Sequence, residues 1–434
     1  MKTMIRVGAV RELVGVLRGL GWAAFGVLGC GGVWAATNVT FQAEVAVKES
    51  YDSNVYLQDT APAPGAVNAV QPEQASWVTT VLPRLGLSYR PGAAFGVNVA
   101  YAPEVAVYHS EHGEDYVAHR VTLALSGKSR DTAWEQSNAF TYTDGNRLGP
   151  IFGAPGAVPA IGGIPLRDRR EAFIYRGGFK LTYPVGRWFL RPVATAYLHD
   201  FMTEQHDPRV APYVGYENYI DRQDVSGGVD VGLKCLEEAS VVLGYRFGRQ
   251  DQYQLLGVDS PYDSAYHRLL VGLEGTLLPG LKVAILGGPD LRDFADNPDP
   301  AFDPDEVLYW IDASVTWLPG KRDSVTLACR RYEQPAFSSH SVYEDITYDV
   351  TWKHTFSSRV SARLGFRAYL GDWQAPVDRE DWIYTPGVSV TWAITDRLGW
   401  DFAYAYDWVE SKVPRTEGRE YTRHLVSMGL RYTL

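Results

Sequence analysis

The chain has 434 residues and a net charge of −10, with 27 Tyr, 16 Phe, 13 Trp, 42 Gly and only 21% charged residues. An acidic balance argues against nucleic acid as a partner. A mean hydropathy of −0.19, with one long apolar stretch at the start, excludes a bundle of membrane helices.

Residues 1–35 read as a cleaved secretory signal. Lys2, Arg6, Arg11 and Arg18 form its positive region, Gly19 to Trp34 its apolar segment, and Val33-Trp34-Ala35 a small-residue cleavage site. A rival processing would lipidate Cys30, in the near-lipoprotein box Val27-Leu28-Gly29-Cys30. Without residues 1–35 the chain holds 37 basic and 50 acidic residues, a net charge of −13, and only Cys235 and Cys329. Two distant cysteines make no disulfide framework. Residues 36–434 are expected to form one domain.

From there the dominant period is two. Val121, Leu123 and Leu125 alternate with Thr122, Ala124 and Ser126. Val360, Ala362, Leu364 and Phe366 alternate with Ser361, Arg363, Gly365 and Arg367. Such segments are strands with one apolar and one polar face. Tight turns fall at Pro91-Gly92, Arg130-Asp131, Val185-Gly186, Glu237-Glu238, Pro279-Gly280, Pro319-Gly320, Ser357-Ser358 and Thr395-Asp396. Between them lie longer breaks near 58–74, 110–115, 145–168, 204–215, 256–263, 294–305, 335–340, 374–380 and 412–419. Eight turns and nine breaks join 18 strands. Long two-faced strands with short turns at one end and long loops at the other predict an all-β, antiparallel, up-and-down transmembrane β-barrel. In hydrocarbon every backbone polar group must be paired within the protein, so the sheet has to close. The tryptophans divide accordingly. Trp317, Trp352, Trp392 and Trp400 lie near short turns, and Trp77, Trp310, Trp373, Trp382 and Trp408 near long loops, as two interfacial girdles would.

The last eight residues, SMGLRYTL, place Met428, Leu430, Tyr432 and Leu434 on one face and Ser427, Gly429, Arg431 and Thr433 on the other. The chain is expected to end here because the last strand completes the barrel. Ser427, Gly429, Tyr432 and Leu434 resemble the C-terminal insertion signal of Gram-negative outer-membrane barrels, although Phe is the commoner last residue there. The resemblance implies outer-membrane lipid and the barrel assembly machinery as partners. The opening VAVKESYDSNVYLQD, through Tyr51, Asp52 and Asn54, is similar to the porin-type outer-membrane barrel family. Some members of that family accompany exopolysaccharide export, which implies periplasmic export partners as a further possibility.

An 18-stranded barrel leaves an aqueous channel unless something fills it. The expected filler is the third long loop, 145–168, whose Ile151, Phe152, Val158, Ile161 and Ile164 are unusually apolar for a surface loop. The competing readings pack this loop over the rim or leave it disordered as a Gly/Pro-rich segment. The predicted lumen face carries Arg84, Arg176, Lys180, Arg246, Arg268, Arg330, Arg363, Arg367, Arg423 and Arg431. Its predicted acids are Glu104, Asp230, Glu274, Asp312, Asp349, Asp401 and Asp407. Opposed charges in a pore set ion preference. The alternative is that neighbouring rows pair with each other, with Arg363, Arg367 and Asp349 as such a network.

Other features carry less chemistry. Asp296, Asp299, Asp303, Asp305 and Glu306 lack the spacing of an EF-hand and read as a solvated acidic loop. His109, His112 and His119 read as rim residues, and no grouping identifies a catalytic site or a cofactor. Cys235 and Cys329 read as small apolar residues of the lipid face. Pro83, Pro103 and Pro386 fall inside predicted strands, which calls for bulges or shorter strands. The expectation is a non-enzymatic porin-like channel in a Gram-negative outer membrane, passing small hydrophilic solutes passively. The alternatives are an exopolysaccharide export conduit and a receptor or enzyme working through its long loops.

Overall fold

The computed structural model describes residues 35–36, 38–55, 57, 73–92, 94–146, 170–207, 209–211, 218–295, 299–337, 339–412 and 420–434. The first half of the chain forms β1 (Val39–Asp52), β2 (Ser76–Tyr89), β3 in two segments (Gly96–Tyr101 and Glu104–Tyr108), β4 (Tyr116–Ser129), β5 (Thr132–Asn146), β6 (Arg170–Val185), β7 (Trp188–Phe201), β8 (Arg222–Lys234) and β9 (Ala239–Gln252). The second half forms β10 (Ser264–Leu278), β11 (Leu281–Phe294), β12 (Leu308–Trp317), β13 (Asp323–Pro335), β14 (Val342–Thr355), β15 (Val360–Trp373), β16 (Arg379–Ala393), β17 (Leu398–Lys412) and β18 (Tyr421–Thr433). Each strand pairs antiparallel with the next. The ring closes where β1 pairs with β18, from Glu44↔Thr433 to Asp52↔Leu425. This is the 18-stranded closed barrel that the alternation requires, with one addition. A two-residue strand, Ala35–Ala36, pairs with the start of β1.

The outward face is the apolar one. Val47, Leu87, Leu243, Leu269, Val271, Leu364, Met428 and Leu430 are all exposed on the outside of the sheet, where hydrocarbon would cover them. All eight tight turns lie at one end, and β15 and β16, for example, are offset by only the five residues 374–378 at the other.

The prolines cause neither bulges nor slips. Leu85↔Tyr101 and Val81↔Val105 belong to the same register, so β3 runs through its gap at Ala102-Pro103 without an insertion. Continuing that register sets Pro103 opposite Pro83. In an antiparallel ladder a residue directs its N–H and C=O to one neighbour only. Each proline therefore costs a bond to one side, and Pro83 and Pro386 still pair with Val45 and Phe366 on the other.

The wall parts between β12 and β13, while β14 stays paired with β15 from Tyr343↔Trp373 to Thr355↔Ser361. β12 and β13 pair only from Ile311↔Arg331 to Trp317↔Val325. Beyond that point every residue from Glu333 to Phe337, and every residue from Ser341 to Thr347, is buried. A strand in a membrane wall alternates between lipid and lumen. A hairpin tip buried on both faces has folded inward. Two of the expected girdle tryptophans are also inside. Trp373 is 2% exposed and stacks on Tyr343 at 4.6 Å, and Trp310 lies 5.8 Å from the Arg268 guanidinium. Trp77, Trp317, Trp352, Trp392 and Trp408 do face outward.

Candidate functional site: a partitioned lumen

The inward tip of β13 and β14 crosses the barrel to β8, β9 and β11. Gln252, fully buried at the end of β9, donates from Nε2 to the carbonyl oxygens of Ala336 at 2.8 Å and Ser339 at 2.7 Å, with Ser341 at 3.4 Å. Ser260 Oγ donates to Gln252 Oε1 at 2.5 Å. Gln250 Nε2 donates to the Glu333 carbonyl at 3.0 Å, and Arg292 Nε lies 3.0 Å from the Glu333 carboxylate. Arg222 on β8 donates to the Pro335 carbonyl. From the long loops, Ile220 N donates to Phe337 O at 2.7 Å, and Tyr262 donates from its hydroxyl to Ala375 O at 3.0 Å.

An aromatic core surrounds the tip. Phe201, Tyr219, Phe337, Tyr343, Tyr369 and Trp373 are buried together with Ile174, Ile383 and Val409. Buried carbonyls are costly when unpaired. The glutamines and arginines of the facing wall satisfy those of the tip, and this explains why so many polar groups accompany an apolar core.

The predicted lumen charges divide into paired and unpaired sets. Arg246 pairs with Asp230 at 2.7 Å, and Arg191 bridges Asp230 and Glu274 at 2.9 Å each. Arg268 pairs with Asp290 at 2.9 Å, Arg330 with Asp312 at 3.7 Å and Arg367 with Asp349 at 2.9 Å. Lys180 pairs with Glu135 at 3.2 Å, and Glu104 accepts from Tyr116 and Arg120. Asp407 accepts from Thr385 at 2.7 Å, and Arg176 lies 5.1 Å from the Tyr197 ring centre. Arg84 sits opposite Glu44 in register without an ion pair among the described residues. Arg363 does not join the Arg367–Asp349 pair. It faces Lys353 on β14.

Asp52 and Asn54, singled out in the opening segment, work at the seam. Arg423 on β18 holds Asp52 through both carboxylate oxygens, with Nε to Oδ1 at 2.6 Å. Asn54 donates to Thr422 O at 3.1 Å and, through its backbone, to Asp52 Oδ1 at 3.0 Å. First and last strands are thus clamped where the ladder closes. At the other end of the seam Leu434 N donates to Ala43 O at 2.9 Å. Of the terminal motif, Tyr432 points outward, while Ser427 and Gly429 line the inner wall.

Residues Ile151, Phe152, Val158, Ile161 and Ile164 of the third loop lie outside the described residues. The three histidines do not converge. His109 bonds Thr79 at 2.8 Å and His119 bonds Tyr101 at 2.8 Å, while His112 sits 3.9 Å from Asp115. No three metal-ligating groups come together among the described residues, and Cys235 and Cys329 are free.

Sequence reasoning missed the inward tip and its anchors Arg222, Gln250, Gln252 and Arg292. A signal was present. Residues 342–347, VYEDIT, carry Val and Glu on one face and Tyr, Asp and Thr on the other, so neither face is clean enough for lipid.

A closed 18-stranded barrel with an apolar outer band and a polar, charged inner wall defines a porin-like outer-membrane β-barrel, and its place is the Gram-negative outer membrane. Residues 297–434, the part running from the loop before β12 to the end of β18, match the family model described as "Putative beta-barrel porin 2". No curated protein matches the chain. Among solved structures it is similar to the Pseudomonas aeruginosa outer membrane protein OpdK (10% identity, 91% of this chain and 99% of that one, TM-score 0.42). Similar values hold for OpdO of the same organism (12%, 91% and 97%, 0.44) and for its ferric enterobactin receptor (8%, 91% and 80%, 0.43).

Proposed function

We propose that this chain is a porin-like channel for passive passage of small hydrophilic solutes, narrowed at the long-loop end by the inward tip of β13 and β14. The observation that carries this reading is the inner wall at the short-turn end. There the lumen opens into a cavity of about 420 Å³ whose lining combines hydroxyl and charged side chains with apolar residues such as Ala46 and Leu82, a size suited to a small molecule. Solute selection then combines a constriction with electrostatic filtering by the wall. The third loop, 145–168, is a second contributor to the constriction.

Single-channel recording of the refolded full chain in a planar bilayer tests the proposal. Stable conductance steps are expected. A barrel that is folded by circular dichroism yet passes no current would refute free passage. The both-faced burial of the hairpin tip supports a second reading, a conduit that opens only with a periplasmic partner, as polysaccharide export would need. On that reading current appears only after the tip is released.

A further inference from the structure

Three cations of the inner wall have no ion-pair partner among the described residues, and they surround one space. Lys48 lies on β1, Lys353 on β14 and Arg363 on β15, and all three line the cavity at the short-turn end. Register fixes their relation. Lys353 is directly opposite Arg363. From Arg363 the inner row continues through Ser389, Ala403 and Ser427. The adjacent row runs from Lys48 through Gly429, Asp401 and Thr391 to Ser361.

Between the cations the floor is made of small and hydroxyl-bearing residues, with the Asp401 carboxylate among them. At Gly429 even a Cβ would stand 2.9 Å from the Val47 carbonyl oxygen, so this part of the floor stays low. Four strand spacings of ~4.8 Å separate β1 from β15, or about 19 Å along the curved wall. Lys48 and Arg363 both line the cavity over that floor.

The charge balance of the bay is positive. Asp401 is shared with Arg431 at 3.5 Å, and Arg431 also lies 3.9 Å from Glu44. Glu104, an acid whose charge acts on Lys48, is itself held by Tyr116 and Arg120. Like charges set directly opposite in a ladder destabilise the sheet, and most other arginines of the inner wall are neutralised. An uncompensated Lys353–Arg363 pair facing a third cation is what an anion site requires.

We infer that this bay is a binding subsite for small, multiply charged anions, carboxylate or phosphate, on the path through the barrel. The inference rests on the reading of the lumen as a solute passage, and it concerns a patch whose charge is opposite to that of the chain as a whole. The wall cations engage the anionic groups from two sides, and Ser361, Ser389 and Thr391 offer hydroxyls to the rest of the solute.

The test is calorimetric titration of the refolded full chain at low ionic strength with citrate, inorganic phosphate and, as a neutral control, sucrose. Lys48→Met and Arg363→Met are compared with the wild-type chain, each checked for folding by its migration on unheated gels. Each loss of a charge-assisted contact should weaken anion binding about tenfold or more and leave the sucrose baseline unchanged. Preference for citrate assigns the bay to carboxylates, and preference for phosphate assigns it to phosphates. Equal binding by wild type and both folded variants overturns the proposal, as does no binding of either anion. Reversal potentials in a potassium chloride gradient separate this outcome from the fate of the channel reading. Anion binding by a barrel that never conducts sustains the site and refutes passage. A conducting barrel whose ion preference is unmoved by Lys48→Glu with Arg363→Glu sustains passage and overturns the site.

Discussion

Replacing Gln252 by Ala should release the hairpin tip. The Nε2 group has two hydrogens, and its two short contacts, to Ala336 O and Ser339 O at 2.8 and 2.7 Å, take them, with Ser341 O at 3.4 Å sharing one. A neutral hydrogen bond contributes about 1 kcal/mol net, and a buried carbonyl left unpaired costs about 1–3 kcal/mol. Allowing for water entering the space, the substitution costs the closed arrangement ~2–4 kcal/mol. That corresponds to a ~30- to ~900-fold rise in the ratio of open to closed tip. The assay is single-channel recording. Gln252→Ala should show larger or far more frequent openings than the wild-type chain. Gln252→Met, which keeps the size but loses both donors, should do the same. Unchanged conductance and unchanged open time in folded variants would refute the view that this glutamine latches a gate-like tip.

Three other perturbations have defined outcomes. Asp52→Ala leaves Arg423 buried at the seam without its two-oxygen partner and should cost about 3 kcal/mol, read as unfolding at lower temperature on heat-modifiability gels. Removing residues 150–165 should raise conductance if the third loop narrows the lumen, and unchanged conductance would remove that role. Asp221, in the loop before β8, accepts from Phe201 N at 2.8 Å. Burial first, and the Asp200 carboxylate second, push its pKa up to about 7. The folded loop therefore keeps a proton that the unfolded chain releases near pH ~4. Stability falls as pH rises from ~4 to about 7, and the penalty is complete above that. Asp221→Asn should leave the loop nearly unchanged at pH ~4 and steady it by up to ~4 kcal/mol at pH ~8. The measurement is exchange of the Phe201 amide hydrogen, corrected for its intrinsic rate. Equal exchange at pH ~8 would contradict the assignment.

Much of the barrel was legible because its physics is local. Alternation within each strand, the tight turns from Pro91-Gly92 to Thr395-Asp396, and the contrast of turn and loop lengths follow from nearest neighbours in the chain. The charges of the inner wall were legible for the same reason, since Arg363, Arg367 and Asp349 sit on the polar parity of their strands. Their pairing was not. Arg367 meets Asp349, whereas Arg363 faces Lys353, and only the stagger between β14 and β15 decides which of two nearby arginines finds the acid. Two of the prolines misled in the same way. Pro103 does divide its strand, whereas at Pro83 and Pro386 the ladder on the other side continued unbroken.

The amino-acid pattern by itself determined that this chain forms an 18-stranded barrel with an apolar outside and a polar inside, because each strand must present one face to lipid and pair every backbone group. The tertiary structure alone decided where the lumen narrows and where its charge is unbalanced. Gln252 and Ala336 are 84 positions apart in the chain, and Asp52 and Arg423 are 371 apart. No local periodicity records such distances. They are set by the closure and stagger of the ring, which bring one wall of the barrel against the folded-in tip of the other.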